Sequence, residues 1–242
     1  HYPLRRQRQM CIRDRASKRL PGNGVALTAP LFQTKTITRR NVMIKSFTTA
    51  FAVLLLAGMP TMATAGISVG VDSDYLFRGV SQTDGDMSAW AGYQHQFGDS
   101  GFMAGAWVGQ VDFADGSDLE TDLYAAWTNG DWLVGYIDYG YNGDADLDGS
   151  EFFISKEVMG VSVDYYLGQD DYTDYVEFGY SVMGVDVSYG MWSDIGDNWS
   201  VSKDFDLPMG LEGSLGYVSF MADDGSMMQD EDSLVFGLSK SF

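Results

Sequence analysis

The last stretch of the chain, Ser233 to Phe242, alternates residue by residue. Leu234, Phe236, Leu238, Lys240 and Phe242 fall on one face; Ser233, Val235, Gly237, Ser239 and Ser241 fall on the other. A period of two is that of a strand with one oily and one wet face. The same rhythm runs back to residue 67 and predicts twelve strands: 67–80, 87–97, 102–113, 119–128, 132–142, 151–158, 161–168, 175–182, 185–193, 199–207, 211–221 and 233–242. Five connections are short and hold turn residues, such as Met159-Gly160 and Met183-Gly184; six are generally longer and rich in Asp and Gly. Twelve antiparallel strands with both ends on one side need six connections on the far side and five on the near side, so the count closes. The pattern predicts an all-β fold, a transmembrane antiparallel up-and-down β-barrel whose last strand pairs with 67–80. A soluble β-sandwich also has short alternating strands and is the alternative. It would bury faces such as Val161, Val163, Tyr165, Leu167 and leave the opposite faces to coat the outside.

The front of the chain has a different texture. Residues 1–42 carry ten Lys and Arg against one acid, with no steady hydrophobic period, and are expected to be a non-native or upstream leader without ordered structure. From Met43 the chain reads as an export signal. Lys45 supplies the positive start, Ala50 to Met59 the apolar run, Pro60 the break, and Ala63-Thr64-Ala65 the small-x-small cleavage site. The apolar run is about 15 Å long as a helix, half of what a bilayer core needs, so 43–65 is expected to be a cleaved signal peptide. That leaves 66–242 as the barrel.

Removing the leader sharpens the charge. Of 15 Lys and Arg, four remain (Arg78, Lys156, Lys203, Lys240), against 33 of the 34 acids. A net of −29 for 66–242 excludes a nucleic-acid binder, since nothing would neutralise phosphates. The single cysteine, Cys11, lies in the leader, so an exported chain must hold together without a disulfide.

The face opposite the oily one carries the acids. The predicted register turns inward Asp72, Asp74, Glu120, Asp122, Asp138, Glu157, Asp164, Glu177, Asp186, Asp204, Asp206 and Glu212, balanced by Arg78 alone. Unpaired buried charges cost several kcal/mol each, so the interior is expected to hold water. A wet acidic lumen favours cations and repels anions. Arg78 either forms a constriction with Asp72 and Asp74 or satisfies those acids and sets the register of the first strand. Trp127 and Trp132 flank a short turn, Trp192 and Trp199 a long loop, as aromatic girdles at both interfaces would.

Asp144-x-Asp146-x-Asp148-Gly149 matches the front half of a calcium loop, but its twelfth position is Ser155 rather than Glu. It reads as an acidic turn able to hold Ca2+ or Mg2+ weakly, bridging to lipopolysaccharide; no other cofactor is expected. After residue 65 the chain has one histidine, His95, close to a short turn and without a nucleophile partner, so no enzymatic activity is expected.

Three stretches carry a resemblance. Ser73-Asp74-Tyr75-Leu76-Phe77-Arg78-Gly79-Val80-Ser81-Gln82-Thr83-Asp84-Gly85, with Leu119-Glu120-Thr121-Asp122-Leu123-Tyr124 and the closing Leu238-Ser239-Lys240-Ser241-Phe242, resembles the TorF family of porins, a proteobacterial outer-membrane family formerly of unknown function. The resemblance spans the chain after the leader and implies an outer-membrane channel without naming its solute. An ending on Phe242 also resembles the closing strand of bacterial outer-membrane barrels, whose terminal Phe is read by the assembly machinery. Lys240 departs from that pattern and is expected to snorkel to headgroups. The sequence therefore predicts an outer-membrane porin passing cations and small neutral solutes, in contact with lipid and lipopolysaccharide. The alternative is a non-conducting barrel with a surface role through its acidic loops.

Overall fold

The computed structural model describes residues 65–113, 116–143, 147–170 and 172–242. The leader, the signal peptide and its cleavage site therefore lie outside the described residues, Ala65 apart.

Twelve strands form one closed antiparallel barrel. They are β1 (Ala65–Asp72), β4 (Ser88–Gln96), β5 (Phe102–Gln110), β6 (Leu119–Thr128), β7 (Trp132–Tyr141), β8 (Gly149–Val158), β9 (Val161–Gly168), β10 (Tyr175–Val182), β11 (Val185–Trp192), β12 (Gly196–Leu207), β13 (Leu211–Ala222) and β14 (Glu231–Ser241). Between β1 and β4, the two-residue strands β2 (Leu76–Phe77) and β3 (Val80–Ser81) pair with each other as a small separate hairpin. Each barrel strand pairs with its neighbours in sequence, and β14 closes on β1 from Ser68↔Ser241 to Asp72↔Gly237. The Phe242 amide adds a bond to the Ile67 carbonyl at 2.9 Å.

Local chemistry explains the hairpins. Met159 and Gly160 have φ of 57° and 86°, and Met183 and Gly184 have 56° and 75°. Positive φ at both central residues is the type I′ turn, whose twist matches that of the flanking strands. The alternation then sorts the faces. Ile67, Val69, Val71, Phe152, Ile154, Phe178, Tyr180, Leu234, Phe236 and Leu238 are exposed on the outer surface. Glycines, serines and acids point inward between them. The sandwich alternative falls, because the sheet closes on itself and its oily side faces out.

That outer surface is charged differently at its two ends. Lys156, Lys203 and Lys240 all share the outward face in the half of their strands nearer the short turns or the chain end. Lys156 Nζ lies 4.1 Å from the centre of the Trp132 ring, and Lys240 Nζ 5.2 Å from that of Phe242. At the long-loop end, outward tyrosines donate to aspartates: Tyr165 to Asp174 at 2.7 Å, Tyr189 to Asp197 at 2.6 Å and Tyr217 to Asp232 at 2.8 Å.

The first predicted strand is shorter than expected. It ends at Asp72 rather than Val80, and 73–83 folds into the barrel, while 84–87 is exposed. Leu76 and Arg78 are 1% and 2% exposed. Tyr75-Leu76-Phe77 breaks the period of two with three apolar residues in a row, and Arg78-Gly79, with φ of 51° and 89°, makes a tight turn.

Candidate functional site

The site is the inward hairpin and the wall that receives it. Asp74 ties its base: Oδ1 accepts from Ser81 Oγ at 2.6 Å and from Thr83 Oγ1 at 2.8 Å. The Tyr75 amide donates to Thr83 Oγ1 at 3.1 Å. Leu76 packs with Val218 of β13 and Val235 of β14. The Ser81 amide reaches Glu231 Oε2 at 3.0 Å. Gly79 sits against the wall, where a Cβ would lie 2.7 Å from that of Asn198.

Arg78 stands at the tip. Its Nη1 and Nη2 donate to Glu151 Oε1 and Oε2 at 2.8 and 2.6 Å, a two-pronged pair in which neither side chain is more than 1% exposed. Tyr139 Oη donates to the same Oε2 at 3.0 Å. Four rings surround the guanidinium carbon: Tyr175 at 4.3 Å, Phe77 at 4.7 Å, Tyr166 at 5.0 Å and Trp192 at 5.3 Å from their centroids. Burial, the largest single effect, would push the guanidinium pKa down; Glu151, Tyr139 and Tyr175 together outweigh it and hold it above its ordinary value. Forked pairing and ring faces are what guanidinium chemistry favours.

This corrects the sequence reading of Arg78. Its partner is Glu151, not Asp72 or Asp74, because the hairpin carries Arg78 across the lumen to β8. Asp72 instead accepts from Trp90 Nε1 at 2.7 Å. Glu151 was absent from the predicted inner set, though it shares parity with Glu157 on the same strand. Asp138 is a second correction. It is exposed and alternates with Trp132, Val134 and Tyr136 on the outside, while Ile137 and Tyr139 are buried inside. The aromatics and Val134 outweigh one acid near the strand's end. Trp192 is the third: it points inward to Arg78 rather than joining an outer girdle, whereas Trp132 and Trp199 do face out.

The other predicted acids face inward. Glu120 and Asp122 are adjacent and buried on the inner face of β6, with the Tyr75 and Tyr141 hydroxyls beside Glu120. Glu177 accepts from Tyr175 Oη at 2.8 Å and sits opposite Asp164 in the β9–β10 register. Asp186, Asp204 and Asp206 lie toward the short turns, with Glu212 opposite Asp206. There Asp204 is half-buried and Asp206 exposed. Arg78 is the one Lys or Arg after residue 65 that faces the lumen; all four are described. The calcium-like loop is only partly in view. Asp144 and Asp146 lie outside the described residues, and Asp148 Oδ1 accepts from the Tyr141 amide at 2.8 Å. Among the described residues, no group of three or more His, Cys, Asp or Glu is placed to hold a metal.

Comparison with solved structures finds outer-membrane porins and channels at low similarity. The KdgM porin matches with a TM-score of 0.46 at 12% identity, over 73% of this chain and 99% of that one. An outer membrane channel from Pseudomonas putida F1 gives 0.39 at 10%, over 84% and 100%. Pseudomonas aeruginosa OpdK with vanillate gives 0.34 at 15%, over 76% and 67%. No curated protein matches. A family model does match, over residues 57–242, which include every barrel strand and the inward hairpin: the chain belongs to the bacterial protein family of unknown function Gcw_chp.

Proposed function

We propose that the protein is a porin-like channel of the bacterial outer membrane, selective for cations and small neutral solutes, and occluded at its long-loop half by the hairpin 73–83. One observation carries this reading. A closed barrel with an oily outside has an inner face of carboxylates and a single inward base, already committed to Glu151. Such a face repels anions and concentrates cations. The lysines at the short-turn end fit the inner leaflet, where their stems can lie along aromatic rings and their charges reach phosphates. The TorF resemblance points the same way. Export by a cleaved signal peptide and recognition of Phe242 by the barrel assembly machinery complete the proposal.

The test is planar-bilayer recording of the refolded chain from Gly66 to Phe242. Low conductance is expected from the native protein and higher conductance from Glu151→Gln, with a reversal potential in a potassium chloride gradient that marks cation preference. Anion preference would overturn the proposal.

Burial of the hairpin also supports a second reading, a barrel that never conducts and acts at the cell surface, its acidic loops holding Ca2+ or Mg2+ against lipopolysaccharide. No current from Glu151→Gln, in a protein still folded as a barrel, would favour it.

A further inference from the structure

The pocket around Arg78 is built mostly by the barrel, not by the hairpin. Five consecutive strands each contribute one side chain: Tyr139 from β7, Glu151 from β8, Tyr166 from β9, Tyr175 from β10 and Trp192 from β11. The hairpin adds only Phe77 and the arginine itself. With the hairpin withdrawn, the wall keeps three ring faces and a carboxylate oriented by the Tyr139 hydroxyl. Those are the elements that recognise a planar organic cation: ring faces for its charge and a two-oxygen fork for its paired N–H groups.

Two details argue that the wall reads the head of the arginine and little else. Its Nε is buried without a hydrogen-bond partner, so only the Nη1–Nη2 edge and the face of the group are recognised. Arg78 also occupies the left-handed region, φ 51°, at a turn position where Asn, Asp or Gly is the usual choice. The turn is poor for an arginine backbone, while the pocket is well matched to an arginine head.

We infer that this wall pocket is a binding site for guanidinium- or amidinium-bearing solutes, and that Arg78 fills it as a tethered surrogate which such a solute displaces. The binding claim stands apart from conduction; the claim that displacement admits the solute rests on the channel proposed above. A tethered group competes at millimolar effective concentration, so the native protein responds only to high solute levels, and removal of the tethered group exposes the site.

The experiment is chemical rescue. Arg78→Ala and Arg78→Gln are refolded, and guanidinium chloride is titrated in the low millimolar range, far below denaturing levels, at constant ionic strength against sodium chloride and urea. Guanidinium is expected to raise the thermal midpoint saturably in both variants, to quench or shift tryptophan emission through Trp192, and to half-saturate at about tenfold lower concentration than sodium. Adding Glu151→Gln should abolish the response. Should Arg78→Ala not refold alone, recovery of its folding yield by guanidinium but not sodium is the same result, and Arg78→Gln keeps the length of the side chain. A response no greater than that of sodium, or one that survives Glu151→Gln, overturns the inference. Methylguanidinium is then applied to the variants in bilayers. Saturable block supports the site within a channel; binding with no current at any concentration upholds the site and removes the channel.

Discussion

The two halves of the lumen handle the same charge in opposite ways. Toward the long loops, carboxylates are buried and most are given partners: Asp74 takes two hydroxyls, Asp72 an indole, Glu177 a phenol and Glu151 a guanidinium. Toward the short turns, Asp204 and Asp206 have greater access to water, with Asp186 and Glu212 close by. A buried carboxylate needs donors or a cation, since an unpaired one costs several kcal/mol. An accessible one needs only water to keep its charge. The contrast teaches that inward acids do not all serve one end: in one half they anchor the inward hairpin, in the other they remain accessible to water.

The comparison can be broken most forcefully at its strongest contact. Glu151→Ala leaves the Arg78 cation buried without its carboxylate, at a cost of about 3–5 kcal/mol. The hairpin should leave the lumen, seen as new proteolytic cleavage within 73–83 and higher conductance. Unchanged protection would mean that the latch does not hold it. Gly79→Ala comes next. The added Cβ meets the Asn198 side chain at a position with φ of 89°, so about 1–3 kcal/mol of hairpin stability should be lost. The same protease assay reads it, with a smaller change. Asp204→Asn with Asp206→Asn acts on the other half. It should leave hairpin protection intact while lowering cation preference in the reversal potential; a loosened hairpin would show that the halves are coupled. Deleting Phe242 tests the barrel that both halves share, and should slow or prevent assembly, read by heat-modifiable mobility. Lys203→Ala, on the outer surface, should shift stability by no more than about 0.5 kcal/mol.

Much of this fold was legible because water and oil alternate on the two faces. Tyr175, Glu177 and Gly179 against Val176, Phe178 and Tyr180 mark the two faces of β10. Closure by the last strand followed from the count of connections. Asp138 shows where the reading runs out. Strand β7 has apolar residues on both faces, so its alternation does not set its register, and packing of Ile137 and Tyr139 against the interior turns Asp138 outward. The hairpin was hidden for a different reason. Ser73 to Val80 is short and continuous with β1, and only the apolar run Tyr75-Leu76-Phe77 and the Arg78-Gly79 turn mark the break. Pairing of Arg78 with Glu151, 73 residues away, is a property of the closed cylinder and of no local pattern.

The hairpin's position early in the chain has a consequence for the order of assembly. It belongs to the second and third strands, and although Tyr75 packs on Trp107 of β5, the partners of its tip and flank lie on β7 to β14. Contacts so distant in sequence cannot form until the intervening loops have closed, at an entropic cost that local pairing does not carry. Strands β7 to β11 must have paired before Arg78 has anywhere to go. Insertion of the hairpin is therefore a late event, and a nascent barrel passes through a stage in which this arginine is still in water and the cylinder is still open.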